Sequence, residues 1–207
     1  MKNQNKDLLI IFTRNIELGK CKTRLAKTVG SEIALNIYSF LVKHTADISR
    51  GLSVHKWVFY SEFPAKRDFF DDDIYQKYKQ EGSDLGERMD SAFNFGFEKG
   101  FSKIIIIGSD IYDLNKEDLI KAFEVLDHND YVIGPAKDGG YYLLGMKAAE
   151  PKLFSGKAWG TNSVFKETLK DLKGKNVELL ALRNDVDIYE DIENVGVFQN
   201  FLKAWKK

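Results

Sequence analysis

Basic, acidic and glycine residues gather in four short segments whose chemistry suits phosphates and hard metal ions. The first runs from Phe12 to Leu25 and sets Arg14, Lys20, Lys22 and Arg24 around Gly19. Guanidinium and ammonium groups on a loop between a strand and a helix can wrap a diphosphate, with backbone amides completing the contacts. A solvated basic loop has the same composition. A Walker A loop would need Gly at Arg14 and Ser or Thr at Cys21, so that pattern is absent. Cys21, between Lys20 and Lys22, reads either as a thiol with a lowered pKa or as a bystander.

In the second segment Gly82 and Gly86 bracket Ser83, Asp84 and Leu85, and Arg88 follows. Such a loop can close over a base or ribose with Arg88 reaching a phosphate, and it can equally be a capped helix start with Asp84 and Glu87 as a capping box. The third is Gly108-Ser109-Asp110. A carboxylate at the carboxyl end of a central strand suits Mg²⁺ or Mn²⁺ bridged to nucleotide phosphates, while a turn or helix cap is the plainer reading. In the fourth, Asp138-Gly139-Gly140 lies between Gly134-Pro135-Ala136 and Tyr141-Tyr142. A hairpin turn explains the glycines, and the tyrosines would suit a sugar or acceptor pocket with Asp138 as general base. Trp159-Gly160-Thr161 adds an aromatic wall and Asp185-Val186-Asp187 a second acidic pair, each also compatible with packing or capping.

Positioning these segments requires a scaffold, and short apolar runs alternating with longer amphipathic stretches predict an α/β sandwich with a mostly parallel sheet. Strands are expected at 8–13, 56–61, 74–80, 103–108, 131–135, 141–145 and 177–181, and helices at 31–48, 85–99, 115–126, 162–172 and 188–205. The unbroken run Ile104 to Ile107 reads as a central strand covered on both faces. With 207 residues, 43% hydrophobic and 30% charged, one domain spanning 1–207 is the expectation. Lys plus Arg and Asp plus Glu stand at 31 each, so no global field favours nucleic acid or an anionic membrane. One cysteine excludes an intrachain disulfide and Cys-rich metal sites, and the apolar run Leu8 to Phe12 is too short for a signal or a membrane span, which together point to the cytoplasm.

Taken in order, Arg14 with Gly19 and Lys22-Thr23-Arg24-Leu25, Asp84 to Met89, Gly108-Ser109-Asp110, Gly134-Pro135-Ala136 with Asp138 to Tyr142, Trp159 with Thr161, and Asp187 resemble a bacterial family of small glycosyltransferases. That family is a branch of the nucleotide-diphospho-sugar transferase superfamily linked to arsenosugar-type biosynthesis. The resemblance covers nearly the whole chain. It implies the glycosyltransferase A-type fold, a Rossmann-like three-layer α/β/α sandwich, with nucleotide bound by about 1–114 and acceptor by about 115–207. One departure is visible: the family usually continues its Asp motif as Ser-Pro-Gly-Leu, and here Asp110 is followed by Ile111-Tyr112-Asp113-Leu114.

On this basis the expected activity is metal-dependent glycosyl transfer from a nucleoside-diphosphate sugar to a small acceptor. Arg14, Gly19, Lys22 and Arg24 would hold the diphosphate, residues 82–86 with Arg88 the nucleoside side, and Gly139, Gly140, Tyr141, Trp159 and Thr161 the remaining substrate. Asp110 and Asp187 would hold Mg²⁺ or Mn²⁺, and Asp138 would take the acceptor's proton. Nucleotidyl transfer from a nucleoside triphosphate, releasing pyrophosphate, would use the same groups. A nucleotide-binding protein without turnover is the third expectation. Oligomeric state is left open.

Overall fold

A computed structural model describes residues 6–205. All seven expected strands form: β1 Asp7–Thr13, β2 His55–Tyr60, β3 Gln76–Lys79, β4 Lys103–Ile107, β5 Tyr131–Pro135, β6 Tyr141–Met146 and β7 Val177–Leu179. They make one sheet in the order β3-β2-β1-β4-β6-β5-β7, in which only β6 runs antiparallel to its neighbours. The helices are α1 Thr23–Val29, α2 Ser31–Arg50, α3 Leu85–Glu98, α4 Lys116–His128, α5 Val164–Asp171 and α6 Gln199–Trp205.

Side chains alternate across a strand, so each strand supplies both faces of the sheet. Leu9, Ile11, Val58, Ile105 and Ile107 pack beneath α2 and α4, against Val42, Ala46, Leu119 and Phe123. Leu8, Ile10, Phe59, Ile104 and Ile106 pack on the other face against Met89, Ala92 and Phe93 of α3. The four consecutive isoleucines are thus divided two and two between two cores, which is why no polar alternation interrupts them. Close packing extends to Gly145 on β6, where an added Cβ would lie 2.6 Å from Val132 and 2.9 Å from Ile105. Gly145→Val is expected to lower stability by about 1–3 kcal/mol through overpacking, read as a fall in urea midpoint at unchanged slope.

Two expectations need correction. The basic segment after β1 was expected as loop throughout, yet its last residues, from Thr23, open helix α1, Thr23–Val29, whose Leu25 and Val29 are buried one turn apart and whose end is set by Gly30 at φ 85°. The helix expected at 188–205 is instead two short 3₁₀ turns, Tyr189–Asp191 and Gly196–Phe198, followed by α6. Asp191 explains the break: its carboxylate accepts from the backbone N–H groups of Asp187 and Ile188, both at 2.8 Å, which favours a turn over a continuous helix. The tail is held by Val186, Ile192, Phe198 and Leu202 against Leu25, Ile37 and Leu41 of α1 and α2.

The capping box expected at Asp84 and Glu87 is half formed. Asp84 caps α3 by accepting from Glu87 N–H at 2.9 Å, but Glu87 reaches back to Ser83 rather than to Asp84. Asn115 and Asp118 form the reciprocal capping box, at 2.9 and 3.0 Å.

Candidate functional site

From β1 the chain moves outward to β2 and β3, then returns to β4 on the other side of β1. The strand order therefore reverses between β1 and β4, and the crevice beyond their carboxyl ends is where open α/β sheets bind ligands. The Arg14 loop leaves β1 there, and Gly108-Ser109-Asp110 leaves β4. A buried hydroxyl cluster joins the two ends: Thr13, Tyr38 of α2 and Ser109 lie 3.1 to 3.2 Å from one another. The Tyr38 oxygen also accepts the Arg14 N–H at 2.8 Å, and burial pushes its phenol pKa up, so it stays a neutral hydroxyl. Gln80 ties in β2, its amide donating to the carbonyls of Thr13 and Phe59 at 3.2 and 3.0 Å. Tyr38→Phe would strand the Arg14 N–H in a part-buried position. A loss of about 1–3 kcal/mol is expected, measured as a lowered thermal midpoint.

Beyond these anchors opens a cleft of about 720 Å³. Lys22 enters it from a left-handed backbone conformation, φ 48° and ψ 47°, which costs a non-glycine residue energy and re-aims its side chain. Its ammonium, on a side chain only 9% exposed, donates to Asp110 Oδ2 at 2.9 Å. Burial alone would depress its pKa, but the Asp110 carboxylate outweighs that and holds it above the ordinary lysine value. Arg24 pairs with Asp187 at 2.6 Å, and the Val186 N–H donates to the Asp110 carbonyl at 3.1 Å. The C-terminal tail is thereby stitched to the loops after β1 and β4.

Thirteen of the expected residues line this cleft: Arg14, Lys22, Arg24, Asp84, Leu85, Arg88, Asp110, Asp138, Gly140, Tyr141, Trp159, Thr161 and Asp187. Gly19, Gly82, Gly86 and Gly139 do not. Most of these glycines serve the protein's own packing. A Cβ on Gly86 would meet the Trp159 indole at 2.2 Å, one on Gly139 the Asn162 backbone at 2.4 Å, and one on Gly82 the Arg88 backbone at 2.7 Å. The Gly86 contact docks the Trp159 wall on the start of α3. Arg88 is held by its own loop, donating to the Gly82 carbonyl at 3.0 Å and to Gln80 Oε1 at 3.4 Å. Tyr142 is pinned beneath the cleft, its hydroxyl donating to the Ala181 carbonyl at 3.1 Å. Cys21 is buried, donates to the Asn15 carbonyl at 3.0 Å, and its pKa is pushed up by burial, which removes the reactive-thiol reading.

Asp185 is the residue to which sequence reasoning gave no role beyond membership of an acidic pair. It lines the same cleft, and burial followed by the negative charges of Asp110 and Asp138 pushes its carboxyl up to about 6. Only the acidic repeat Asp185-Val186-Asp187 hinted at it. Among the described residues no three acidic, His or Cys side chains are grouped to hold a metal ion by themselves. The oxygen chemistry still fits Mg²⁺ or Mn²⁺, since such ions are commonly held by one or two carboxylates together with substrate phosphates.

No functionally curated protein matches the sequence. Among solved structures, a candidate nucleotide-diphospho-sugar transferase from Desulfovibrio desulfuricans G20 is 29% identical, with a TM-score of 0.86 over 97% of this chain and 95% of that one. A cytidylyltransferase from Leptospira borgpetersenii is 13% identical, with a TM-score of 0.59 over 98% and 94% of the two chains. A 4-diphosphocytidyl-2C-methyl-D-erythritol synthase from Anaerococcus prevotii is 10% identical, with a TM-score of 0.56 over 95% and 96%. The last two share the fold alone, and the nucleotide-diphospho-sugar transferase architecture expected from the motifs is the one observed. Among the described residues no helix is long and apolar enough to cross a membrane. Residues 47–161, more than half of the 207, match the family described as "uncharacterized protein conserved in bacteria" (DUF2064), and it is to this family that the chain belongs.

Proposed function

We propose that the protein is a glycosyltransferase that takes a nucleoside-diphosphate sugar as donor and a small molecule as acceptor, within a single domain whose nucleotide side is about 1–114. The observation that carries this reading is the meeting, at the β1/β4 reversal, of Lys22 and Arg24 with Asp110 and Asp187 in one cleft. Without substrate each cation neutralises a carboxylate. With a diphosphate in the cleft, Lys22, Arg24 and the exposed Arg14 would turn to its oxygens, and Asp110 and Asp187 would hold a Mg²⁺ or Mn²⁺ ion that supplies further positive charge. Negative charge grows on the diphosphate as its bond to the sugar breaks, so cations fixed beside it favour the transition state over bound donor. Asp138 would accept the proton of the acceptor hydroxyl as that oxygen bonds the anomeric carbon. Trp159, packed on Gly86, offers a flat apolar wall for a sugar or base.

Nucleotidyl transfer is the second reading, and a third cation, Arg14, favours it because a triphosphate brings more charge to neutralise. Thermal-shift titration with nucleoside diphosphates, triphosphates and nucleotide sugars, each with Mg²⁺, Mn²⁺ or chelator, tests both. Metal-dependent stabilisation by a nucleotide sugar, with the nucleoside diphosphate released and the sugar joined to an acceptor on turnover, supports glycosyl transfer. Pyrophosphate release from a triphosphate would replace it with the second reading, and binding without turnover would make the chain a nucleotide-binding protein.

A further inference from the structure

The basic and the acidic residues of the cleft come from different parts of the chain. Up to Ile111 its lining holds Arg14, Lys20, Lys22, Arg24 and Arg88 against Asp84 and Asp110, whereas from Ala136 onward it holds Asp138, Asp185 and Asp187 with no Lys or Arg among the described residues. We propose that the acceptor is a ring-bearing hydroxyl compound without an anionic group, seated between Trp159, Tyr141 and the start of α3. This rests on the glycosyl-transfer reading and names the class of its second substrate.

Apolar and aromatic side chains line this end: Trp159, Tyr141, Val164, Met89 and Leu85. Leu85 opens α3 with 45% of its surface exposed, which leaves apolar area open to a ligand. The walls are fastened to one another. Trp159 packs on Gly86, and the Tyr141 hydroxyl lies 3.9 Å from the Met89 sulfur. The Phe165 N–H donates to the Gly139 carbonyl at 2.9 Å, which ties α5 to the hairpin tip, and the Asp138 carboxylate accepts from the Gly140 N–H at 2.8 Å. The rings, the hairpin and Asp138 are thus held in fixed relation, as recognition of a small molecule requires.

The cations closest in the chain are committed elsewhere. Lys157, two residues before Trp159, is 3% exposed at its side chain and bonded to Asp171. The Arg88 guanidinium is held by the Gly82 carbonyl and Gln80, and Arg24 pairs with Asp187. A phosphate or carboxylate carried by the acceptor would give up hydration and meet Asp138 and Asp185 in place of a partner, and like charges brought together oppose binding. A sugar or aromatic ring stacks on an aromatic wall without bringing charge, and Asp138 supplies the acceptor for one of its hydroxyls. Nucleotidyl transfer to a phosphate oxygen would need an anionic acceptor, so the same end of the cleft suits glycosyl transfer better.

Calorimetric titration of the full chain with phenyl β-D-glucopyranoside and with phenyl phosphate tests the assignment. Wild type is compared with Trp159→Leu, Leu85→Asn and Arg24→Gln, each checked for its fold by circular dichroism. The glucoside is expected to bind wild type at millimolar concentration or below. Its affinity should fall about threefold or more in Trp159→Leu, the size expected for a lost ring contact, fall also in Leu85→Asn, and change little in Arg24→Gln. Any affinity for phenyl phosphate should depend on Arg24 and not on Trp159. Absence of glucoside binding to wild type overturns the proposal, as does equal binding by whichever of the two wall variants is folded. A phenyl phosphate affinity that falls in Trp159→Leu and not in Arg24→Gln would place an anion at the acceptor end and equally overturn it. These titrations contain no nucleotide, so their outcome is separate from the nucleotide-sugar titration that tests the transfer reading itself.

Discussion

Asp110→Asn is expected to lower turnover of the nucleotide substrate by about 10²–10³-fold while leaving the protein folded, because the change removes one charge at the point where several groups depend on it. The substitution keeps the shape of the side chain, so packing after β4 should persist. What it removes is the carboxylate that offsets the desolvation of Lys22, 2.9 Å away on a side chain 9% exposed. With that charge gone, burial acts on Lys22 unopposed by its nearest partner, and its pKa falls. The variant therefore loses a proposed metal oxygen and weakens a proposed phosphate contact together. Kinetics and melting are measured side by side, with metal varied. A folded Asp110→Asn protein that keeps wild-type turnover and the same metal requirement would remove Asp110 from the mechanism. The double variant Lys22→Met/Asp110→Asn sharpens the result: stability should recover part of what the single change costs, since a buried charge is no longer left alone, whereas activity should not recover.

Why the cleft was largely legible in the sequence follows from where its residues sit. Arg14, Asp110 and Asp138 each come directly after a strand or at a hairpin tip, and strands such as Lys103–Ile107 and Tyr131–Pro135 announce themselves by apolar runs bounded by Gly or Pro. Once the strand ends are known, the switch point collects them. Helix α1 was hidden because seven residues with two buried positions carry little periodic signal, although Leu25, Val29 and the following Gly30 were its available markers. The roles of Gly86 and Gly139 were misread for a different reason. A glycine signals close approach without saying of what, and here the approaching groups are Trp159 and Asn162 of the same chain. Asp185 was given no role because nothing local beyond its pairing with Asp187 distinguishes it. Its character arises from burial and then from the charges of Asp110 and Asp138, which act on it only in the folded molecule.

That coupling predicts how stability varies with pH. Asp185 has a folded pKa of about 6 against an ordinary 3.8, so the folded protein binds its proton more tightly than the unfolded chain. The stability this proton linkage contributes is fully present below pH 3.8 and is lost as pH rises through about 6. In Asp185→Asn no such loss occurs. Measured in chelator, the variant and wild type should melt alike near pH 4, and the variant should melt higher by pH 7, by about 1–2 kcal/mol once partial exposure to water is allowed for. That amounts to a few degrees in Tm for a chain of this size. Parallel melting curves for the two proteins from pH 4 to pH 8 would mean that neither burial nor the charge of its neighbours raises the Asp185 carboxyl. The direction of the expected effect bears on function, because a carboxylate that destabilises the fold above pH 6 is tolerated where a bound cation would relieve it. Saturating Mg²⁺ or Mn²⁺ should accordingly narrow the gap between wild type and Asp185→Asn at pH 7, and a gap indifferent to metal would argue that no cation settles beside these acids.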